Sequence, residues 1–420
     1  MSVLSSTFRD RAILWLFAIV CSLLPGLIIF AHRGVAPALL LLGVGIALQV
    51  KIWRRGVDYF LTNPEKQSNL FWIFWIAIAF SVWAALSTIW SPRGHGFSTA
   101  LTLIGPLLAS GAVVFELCHR KDEDVGRIAR YFTYAGGAAI ILMVIEALSS
   151  GALRALAPPD DVSPNRFFDQ VALGRGTTII CQLLFPVLLL IYQRTQQRAL
   201  LGILFIAVLY ASLRFDTLSN AVSLMVAAPL FFLALKWPKY FLRLIFCAIV
   251  VVLLAAPAAV WLPVDDMIAL FSDMLPASSL QRIAVWQFTA SHAVQCLPIG
   301  CGAEYARELS VAAPDIQFPG SIIALSLLPT HPHNLFLQVW LELGVPGVLL
   351  LVGLFYFFYR ELSARDFSNT QIALIVATLT SIFISALFEM SIWQVWRLST
   401  AGFAAVLIAI VVKNPVSTGR

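Results

Sequence analysis

The sequence predicts an all-α polytopic membrane helix bundle of about twelve spans with one large external loop. Three observations predict it. Of 420 residues, 60% are hydrophobic and 12% charged, where a soluble domain carries about 25% charged residues. Mean hydropathy is +0.87. Apolar runs near the roughly 20 residues needed to cross a bilayer also recur along the whole chain.

The candidate spans fall at 12–31, 35–53, 70–90, 97–117, 131–148, 173–192, 199–213, 217–236, 239–262, 334–358, 371–390 and 395–413. The first follows Arg9 and Arg11, is too long for a signal-peptide core and lacks a small-x-small cleavage site, so it reads as a retained anchor. The run at 199–213 is the shortest. Two loops are long, 149–172 and 263–332. Pro158, Pro159, Asp160, Asp161 and Pro164 make the first irregular. The second is long enough to fold as a small cap, which divides the chain into 1–262, 263–332 and 333–420. Within it Leu280, Ile283, Trp286, Val294 and Leu297 suggest an amphipathic helix ended by Pro298-Ile299-Gly300-Cys301-Gly302. Its Asp-rich start (Asp265, Asp266, Asp273) and its prolines (Pro314, Pro319, Pro329, Pro332) read as linkers. No fixed-period repeat and no inverted pair of broken helices is visible, which weakens a transporter reading.

Basic residues set the orientation, because cytoplasmic loops retain lysine and arginine. With twelve spans both termini share a side. That side holds 19 of the 28 basic residues and all six lysines; the other holds nine, every one an arginine: Arg33, Arg93, Arg154, Arg166, Arg175, Arg214, Arg282, Arg307 and Arg397. The bias places the termini in the cytoplasm and the 263–332 loop outside. The pI near 9.1 is thus a topology signal and not a sign of a nucleic-acid partner. The arginine-only outer face has two readings. Guanidinium is a planar, permanently charged fork suited to phosphate, or lysine is simply kept inside.

Among six cysteines, most lie in or beside spans; Cys296 and Cys301 share the outer loop and could pair, which the sequence does not settle. Beyond His331 and His333 there is no ligand spacing for a metal, and no cofactor motif.

The most informative stretch runs from His331-Pro332-His333-Asn334 to Gly344-Val345-Pro346-Gly347. It carries two histidines, Asn334, Gln338 and Glu342 into a hydrophobic segment, and polar groups at membrane depth are costly enough to mark a site or a buried network. On a helix, His333, Leu337, Trp340, Gly344 and Gly347 share one stripe; Asn334, Gln338 and Glu342 form the next. The glycines would admit a neighbouring helix and Pro346 invites a kink. The plain alternative is a capping Asn334 with a ridge that only holds helices together. Arg282 and Trp286 sit at i and i+4 on the loop helix, as a ligand pair or as a snorkelling arginine over an interfacial aromatic. Arg175, between Gly174 and Gly176, is either open to a ligand or part of a turn. Arg214 lies near Asp216, which could neutralise it, and Arg307 defaults to solvent.

The stretch from His333 resembles the motif His-(Asn/Ser/Gln)-x9-Gly-x2-Gly of the bacterial O-antigen ligase family. Asn334 fills the second position, Leu335 to Leu343 the spacer, and Gly344 and Gly347 close it. Arg282-x3-Trp286 followed by Pro298-x-Gly300-x-Gly302 is similar to the family's loop pattern. The resemblance covers about 280–350 closely and the rest by topology. It implies an inverting, metal-independent glycosyltransferase in the bacterial inner membrane, with its active site facing the periplasm. Such an enzyme acts in lipopolysaccharide biosynthesis, moving a glycan from undecaprenyl diphosphate to a sugar hydroxyl of lipid A-core. Membrane lipids are its other partners. It further implies His333 as general base or acceptor-orienting residue, with diphosphate binding by His333 as the competing role. Arg282 and Arg175 are then diphosphate binders, and Asn334, Gln338, Arg214, Asn220, Trp286 and Arg307 line the substrates. One departure stands out. Family members often carry arginine after the serine of a span matching Thr217-Leu218-Ser219-Asn220-Ala221, and here Asn220 holds that place. Arg175 or Arg214 would supply the charge, or the chain is a divergent branch.

Rival functions are an O-antigen or exopolysaccharide polymerase, a protein O-oligosaccharyltransferase, and, from another class, a lipid-linked sugar transporter. A transporter needs a polar path, whereas Gln49, Glu116, Glu146, Gln182 and Glu389 are scattered. A structural scaffold leaves the clustering of His, Asn, Gln and Glu at one helix end without a reason.

Overall fold

The computed structural model describes residues 6–48, 68–93, 95–156, 167–319, 321 and 324–414. Helices occupy all twelve candidate positions: α1 (Ser6–Phe30), α2 (Val35–Ala47), α3 (Ser68–Ser87), α4 (Gly96–His119), α5 (Asp122–Ser149), α6 (Phe167–Thr195), α7 (Arg198–Arg214), α8 (Leu218–Lys236), α9 (Pro238–Ala255), then α13 (Leu335–Ser363), α14 (Asn369–Phe388) and α15 (Val395–Lys413). Between α9 and α13 lie α10 (Val264–Phe271), α11 (Ala277–Gln295) and α12 (Tyr305–Ala312). The architecture is a polytopic membrane helix bundle. Among the described residues, ten helices are long and apolar enough to cross a membrane. The other two, α2 with 13 residues and α7 with 17, are shorter. At 1.5 Å per residue they reach about 20 and 26 Å, against a hydrocarbon core of about 30 Å. Even so α7 runs from one end of the bundle to the other. It starts beside the end of α6, and its last residue, Arg214, bonds Ser150 (2.8 Å), while Asn220 at the start of α8 bonds Thr178 near the start of α6 (2.9 Å).

Helix α5 extends well before the expected start at 131, because Asp122, Glu123 and Asp124 fill its first turn. Carboxylates there complement the helix dipole. The proline-rich part of the 149–172 loop, with Arg166, lies outside the described residues, as do Lys51, Arg54, Arg55, Lys66, Arg420 and the expected end of the second span.

The bundle has two chemically different ends. At one, Lys413 Nζ donates to the carbonyls of Cys118 and Arg120 (2.6 Å each), and Arg120 reaches Asp10 O (3.4 Å). This gathers the start of α1, the end of α4 and the end of α15. At the other end sit Phe30, His32, Arg154, Arg175, Glu389, Trp396 and Arg397. The core lies between, in two apolar clusters. One joins α1, α2, α4 to α7 and α15 around Phe17, Leu39, Val113 and Phe403. The other joins α3, α9, α13 and α14 around Phe80, Ile245, Phe336 and Val376.

The 263–332 segment is a folded cap with small cores of its own, around Val285, Ala306 and Leu328 and around Leu280, Ala284 and Phe318. Two sequence expectations change here. The Asp-rich start is helix: Asp265 and Asp266 open α10, where the dipole favours them. The proline-rich stretch contains a two-residue antiparallel pairing, Asp315 with Ser326 and Ile316 with Leu325. The amphipathic helix forms as α11, yet its apolar face is shorter than expected. Leu280 and Ile283 are buried, whereas Val294 and Leu297 are 45% and 43% exposed beyond the cap's core. Cys296 and Cys301 are joined as a disulfide.

Candidate active site

The site is built on the join between the cap and α13. The expected polar ridge is real. Gln338 Nε2 donates to Glu342 Oε1 (3.1 Å), and Gln338 Oε1 accepts from Ile392 N (3.2 Å). Glu342 is fully buried and accepts three further bonds, from the backbone N–H of Glu304 and Ala306 (3.1 Å each) and from Trp393 Nε1 (2.5 Å). A buried carboxylate with four donors is a fastener. It holds the cap and the 389–394 turn against α13.

The motif glycines serve the same join. Gly344 breaks the helix with φ 58° and ψ −157°, a conformation that glycine adopts without steric cost. A Cβ there would lie 2.4 Å from Gly300 N and Pro298 O, and one on Gly300 would lie 2.6 Å from Gly344 N. What approaches is therefore the backbone of the Pro298–Gly302 turn, not a neighbouring helix, and the break sits at Gly344 rather than at Pro346. Cys301 N, Gly302 N and Val345 N bond the carbonyls of Leu341, Glu342 and Pro298 (2.7, 3.0 and 2.8 Å). Helix α3 clamps the turn from outside through Trp83 Nε1 to Leu343 O (2.8 Å) and Trp90 Nε1 to Gly300 O (3.1 Å).

His333 lies just before this helix, not on it. Asn334 is the N-cap, accepting from the N–H groups of Phe336 (3.0 Å) and Leu337 (3.1 Å). That bonding is what N-cap asparagine does. His333 itself has φ 52°, uncommon for a residue other than glycine and a conformation found often at functional sites. Its ring packs against His331 (centroids 4.3 Å apart), whose Nδ1 accepts from His333 N (3.1 Å). Burial, then Arg282 and Arg397, lower the His333 pKa to about 3. The imidazole is consequently neutral at physiological pH.

Two guanidiniums flank it, and they differ. Arg397, at the start of α15, is buried and donates to Ser385 Oγ (2.7 Å) and Glu389 Oε2 (3.1 Å). Its Cζ lies 4.6 Å from the centroid of the Trp396 ring, and its Nε has no partner among the described residues. Ser219 donates to the other Glu389 oxygen. Arg282 on α11 is half-buried and makes no hydrogen bond or ion pair with any described residue; Glu389 acts on it only through space. One turn along, Trp286 packs at a tilt against Phe388 (5.6 Å), and its buried Nε1 has no partner among the described residues either. So the face of α11 that looks toward His333 presents unmet donors.

The remaining expected residues are placed differently. Arg307 is exposed, 3.8 Å from Glu304, and bears electrostatically on His331. Asn220 is buried and donates to Thr178 Oγ1, as a tie between α8 and α6. Arg214 bonds Ser150 at an exposed position, with no bond to Asp216. Arg175 stands with His32, Arg33 and Arg397, and it also bears electrostatically on His331. Arg397 and Glu389 were missed as site residues. Their only sequence signal is a charged residue inside each end of the turn joining the last two spans.

A family model for O-antigen ligase matches residues 215–352. This stretch contains Arg282, the Pro298–Gly302 turn, His333, Gly344 and Gly347. That stretch of the chain is similar to the O-antigen ligase family. Relatives extend the likeness along most of its length. A candidate polysaccharide ligase of Rickettsia conorii is 25% identical over 343 residues, covering 81% of this chain and 80% of the relative. One of Rickettsia prowazekii is 24% identical over 349 residues with the same coverage, and one of Rickettsia typhi is 26% identical over 280 residues, 66% of each chain. Within the matched stretch, Glu342 and the glycines form the scaffold and His333 with Arg282 forms its unsatisfied edge.

Proposed function

We propose that this chain is a glycosyltransferase of the polysaccharide-ligase kind. It moves a glycan from undecaprenyl diphosphate to a sugar hydroxyl of lipid A-core, on the periplasmic side of the bacterial inner membrane. The observation that carries this reading is a neutral imidazole, His333, beside a guanidinium, Arg282, that no acceptor among the described residues occupies. Transfer from a lipid diphosphate needs those two things: a base for the acceptor proton and a fixed cation for the leaving group.

In the step, His333 takes the proton of the acceptor hydroxyl as that oxygen attacks the anomeric carbon. The bond from that carbon to the diphosphate oxygen breaks, with inversion, and the lipid diphosphate leaves as an anion against Arg282 and Arg397. A base held near pKa 3 is weak. Burial is the larger cause and stays, but the two arginines that add to it are those a bound diphosphate would neutralise, so the donor restores the arginine part of the imidazole's basicity at the moment it is needed. The lysine-free character of the outer end and the location of His333 there support a periplasmic site.

The test is transfer by purified protein in detergent from an undecaprenyl-diphosphate-linked glycan. Product on lipid A-core is expected. Product only on a second lipid-linked repeat would make the chain a polymerase, and no product, with vesicle uptake of the donor intact, would make it a transporter. Arg282→Lys keeps the charge but loses the bidentate fork, and is expected to retain under a tenth of the activity. Equal activity would remove Arg282 from the diphosphate.

A further inference from the structure

Helix α11 has a second polar face, and the proposed transfer does not use it. At about 100° per residue, Ala284, Gln287, Phe288 and Ser291 lie on the side of α11 opposite to Arg282 and Trp286. There α11, the start of α10 and the end of the turn Ala256–Trp261 border an open cavity of about 580 Å³, within the range of small-molecule sites. Val260, Leu262, Ile316 and Leu327 give it apolar walls, and Asp265 and Asp266, both exposed, complete the lining. Phe288 packs against one of the cap's small cores and Ala284 belongs to the other, so the cavity is set between them.

The lining of this cavity is the chemical inverse of the face that looks toward His333. Its charged groups among the described residues are Asp265 and Asp266, and neither makes a hydrogen bond or ion pair with another described residue. Gln287 Nε2 is engaged by Leu262 O (2.8 Å), which leaves its Oε1 to accept. Ser291 Oγ likewise donates to Phe288 O (2.7 Å) and keeps its lone pairs. The dipole of α10 accounts for the two carboxylates in its first turn, but not for the acceptors on α11. Every polar side chain in the lining is thus left as an acceptor, whereas Arg282 and Trp286 Nε1 on the opposite face are donors. A ligand for the cavity must carry many donors, no anionic charge and apolar patches. Phosphate fails on charge, and an alkyl chain on donors. A sugar meets all three conditions, since its hydroxyls donate and its C–H faces pack on Phe288 and the aliphatic walls.

We propose that this cavity is a glycan-holding subsite, which takes a short run of uncharged sugars at a distance from the bond being made. A helix with its side chains is about 10–12 Å across, so a saccharide held here is separated from Arg282 by the thickness of α11. The subsite therefore recognises the glycan chain and not the reacting sugar. Those sugars come either from the donor glycan or from the acceptor core. Binding here needs no reaction; only the use of the bound glycan in transfer rests on the reading above.

Hydrogen exchange of the purified full-length protein in detergent tests it, with two lipid-free probes. One is the oligosaccharide released by mild acid from the undecaprenyl-diphosphate donor, the other the core oligosaccharide released in the same way from lipid A. At least one should protect residues 260–291, equally in wild type and in Arg282→Gln, and the one that does so identifies the source. Ser291→Trp, which fills the cavity, should weaken that binding about tenfold, the scale of one or two lost hydrogen bonds. Asp265→Asn/Asp266→Asn, at exposed positions, should do the same while melting as wild type, and it keeps the test usable should Ser291→Trp misfold. Protection by neither saccharide, undiminished protection in Asp265→Asn/Asp266→Asn, or protection by calcium ions alone would overturn the subsite. Neither probe carries a diphosphate. Saccharide binding without transfer would therefore remove the transfer reading and leave the subsite, and transfer without saccharide binding would do the reverse.

Discussion

Glu342 and His333 stand nine residues apart in one short segment, and their surroundings are opposite. Glu342 accepts four hydrogen bonds and has no capacity left for a ligand. His333 sits in the left-handed region between arginines, one of which has no hydrogen-bonded or ion-paired partner among the described residues. The comparison teaches that polarity at membrane depth does not itself mark a site. Satisfied polar groups build the scaffold, and unsatisfied ones are kept for something that arrives.

The largest expected effect breaks the His333 side. His333→Ala should reduce transfer about a thousandfold, the usual order for removing a general base, with a melting temperature close to wild type. Next is the contrast between the two arginines. Arg397→Leu leaves Glu389 buried without its cation, a loss that costs about 3–5 kcal/mol, whereas Arg282→Leu should melt with wild type; thermal unfolding in detergent compares them directly. Gly344→Ala comes third. Its Cβ would meet the Pro298–Gly302 backbone at 2.4–2.5 Å, so cap and helix must separate, at about 3 kcal/mol.

Acid sensitivity is a finer test. His333 titrates near 3 when folded and near 6.5 when unfolded, so between these values the unfolded chain binds more protons. Its contribution is fully present above pH 6.5 and is lost as pH falls toward 3. His333→Gln should flatten that part of the stability profile, and an unchanged slope would place the imidazole in water. The smallest effect is Arg214→Gln. At an exposed position bonded to Ser150, it should leave transfer and melting within error, and a large loss of transfer would move the site toward α7.

Much of this was legible in the sequence because lipid forces it. Backbone polar groups cannot be left open in hydrocarbon, so long apolar runs had to be helices, and the twelve positions are readable from hydropathy. The lengths of α2 and α7 were not, because an apolar run does not fix where its helix ends. The ridge Asn334, Gln338, Glu342 was legible as a ridge. Its role was not, since the partners of Glu342 other than Gln338 lie 36 to 51 residues away. Gly344 was expected to admit a helix and admits a turn instead, a difference that only the cap's fold decides. Arg397 and His32 were hidden for the same reason. Each is one charged residue beside a span, and it is Trp396, far from His32 in the chain, that brings them together.

The most direct measurement pairs two variants and two readouts: donor affinity and melting temperature for Arg282→Gln and Glu342→Gln, using an undecaprenyl-diphosphate-linked glycan. The account predicts that Arg282→Gln loses at least tenfold in affinity and melts as wild type, while Glu342→Gln melts earlier. An Arg282→Gln protein that unfolds early yet holds the donor as tightly as wild type would contradict it.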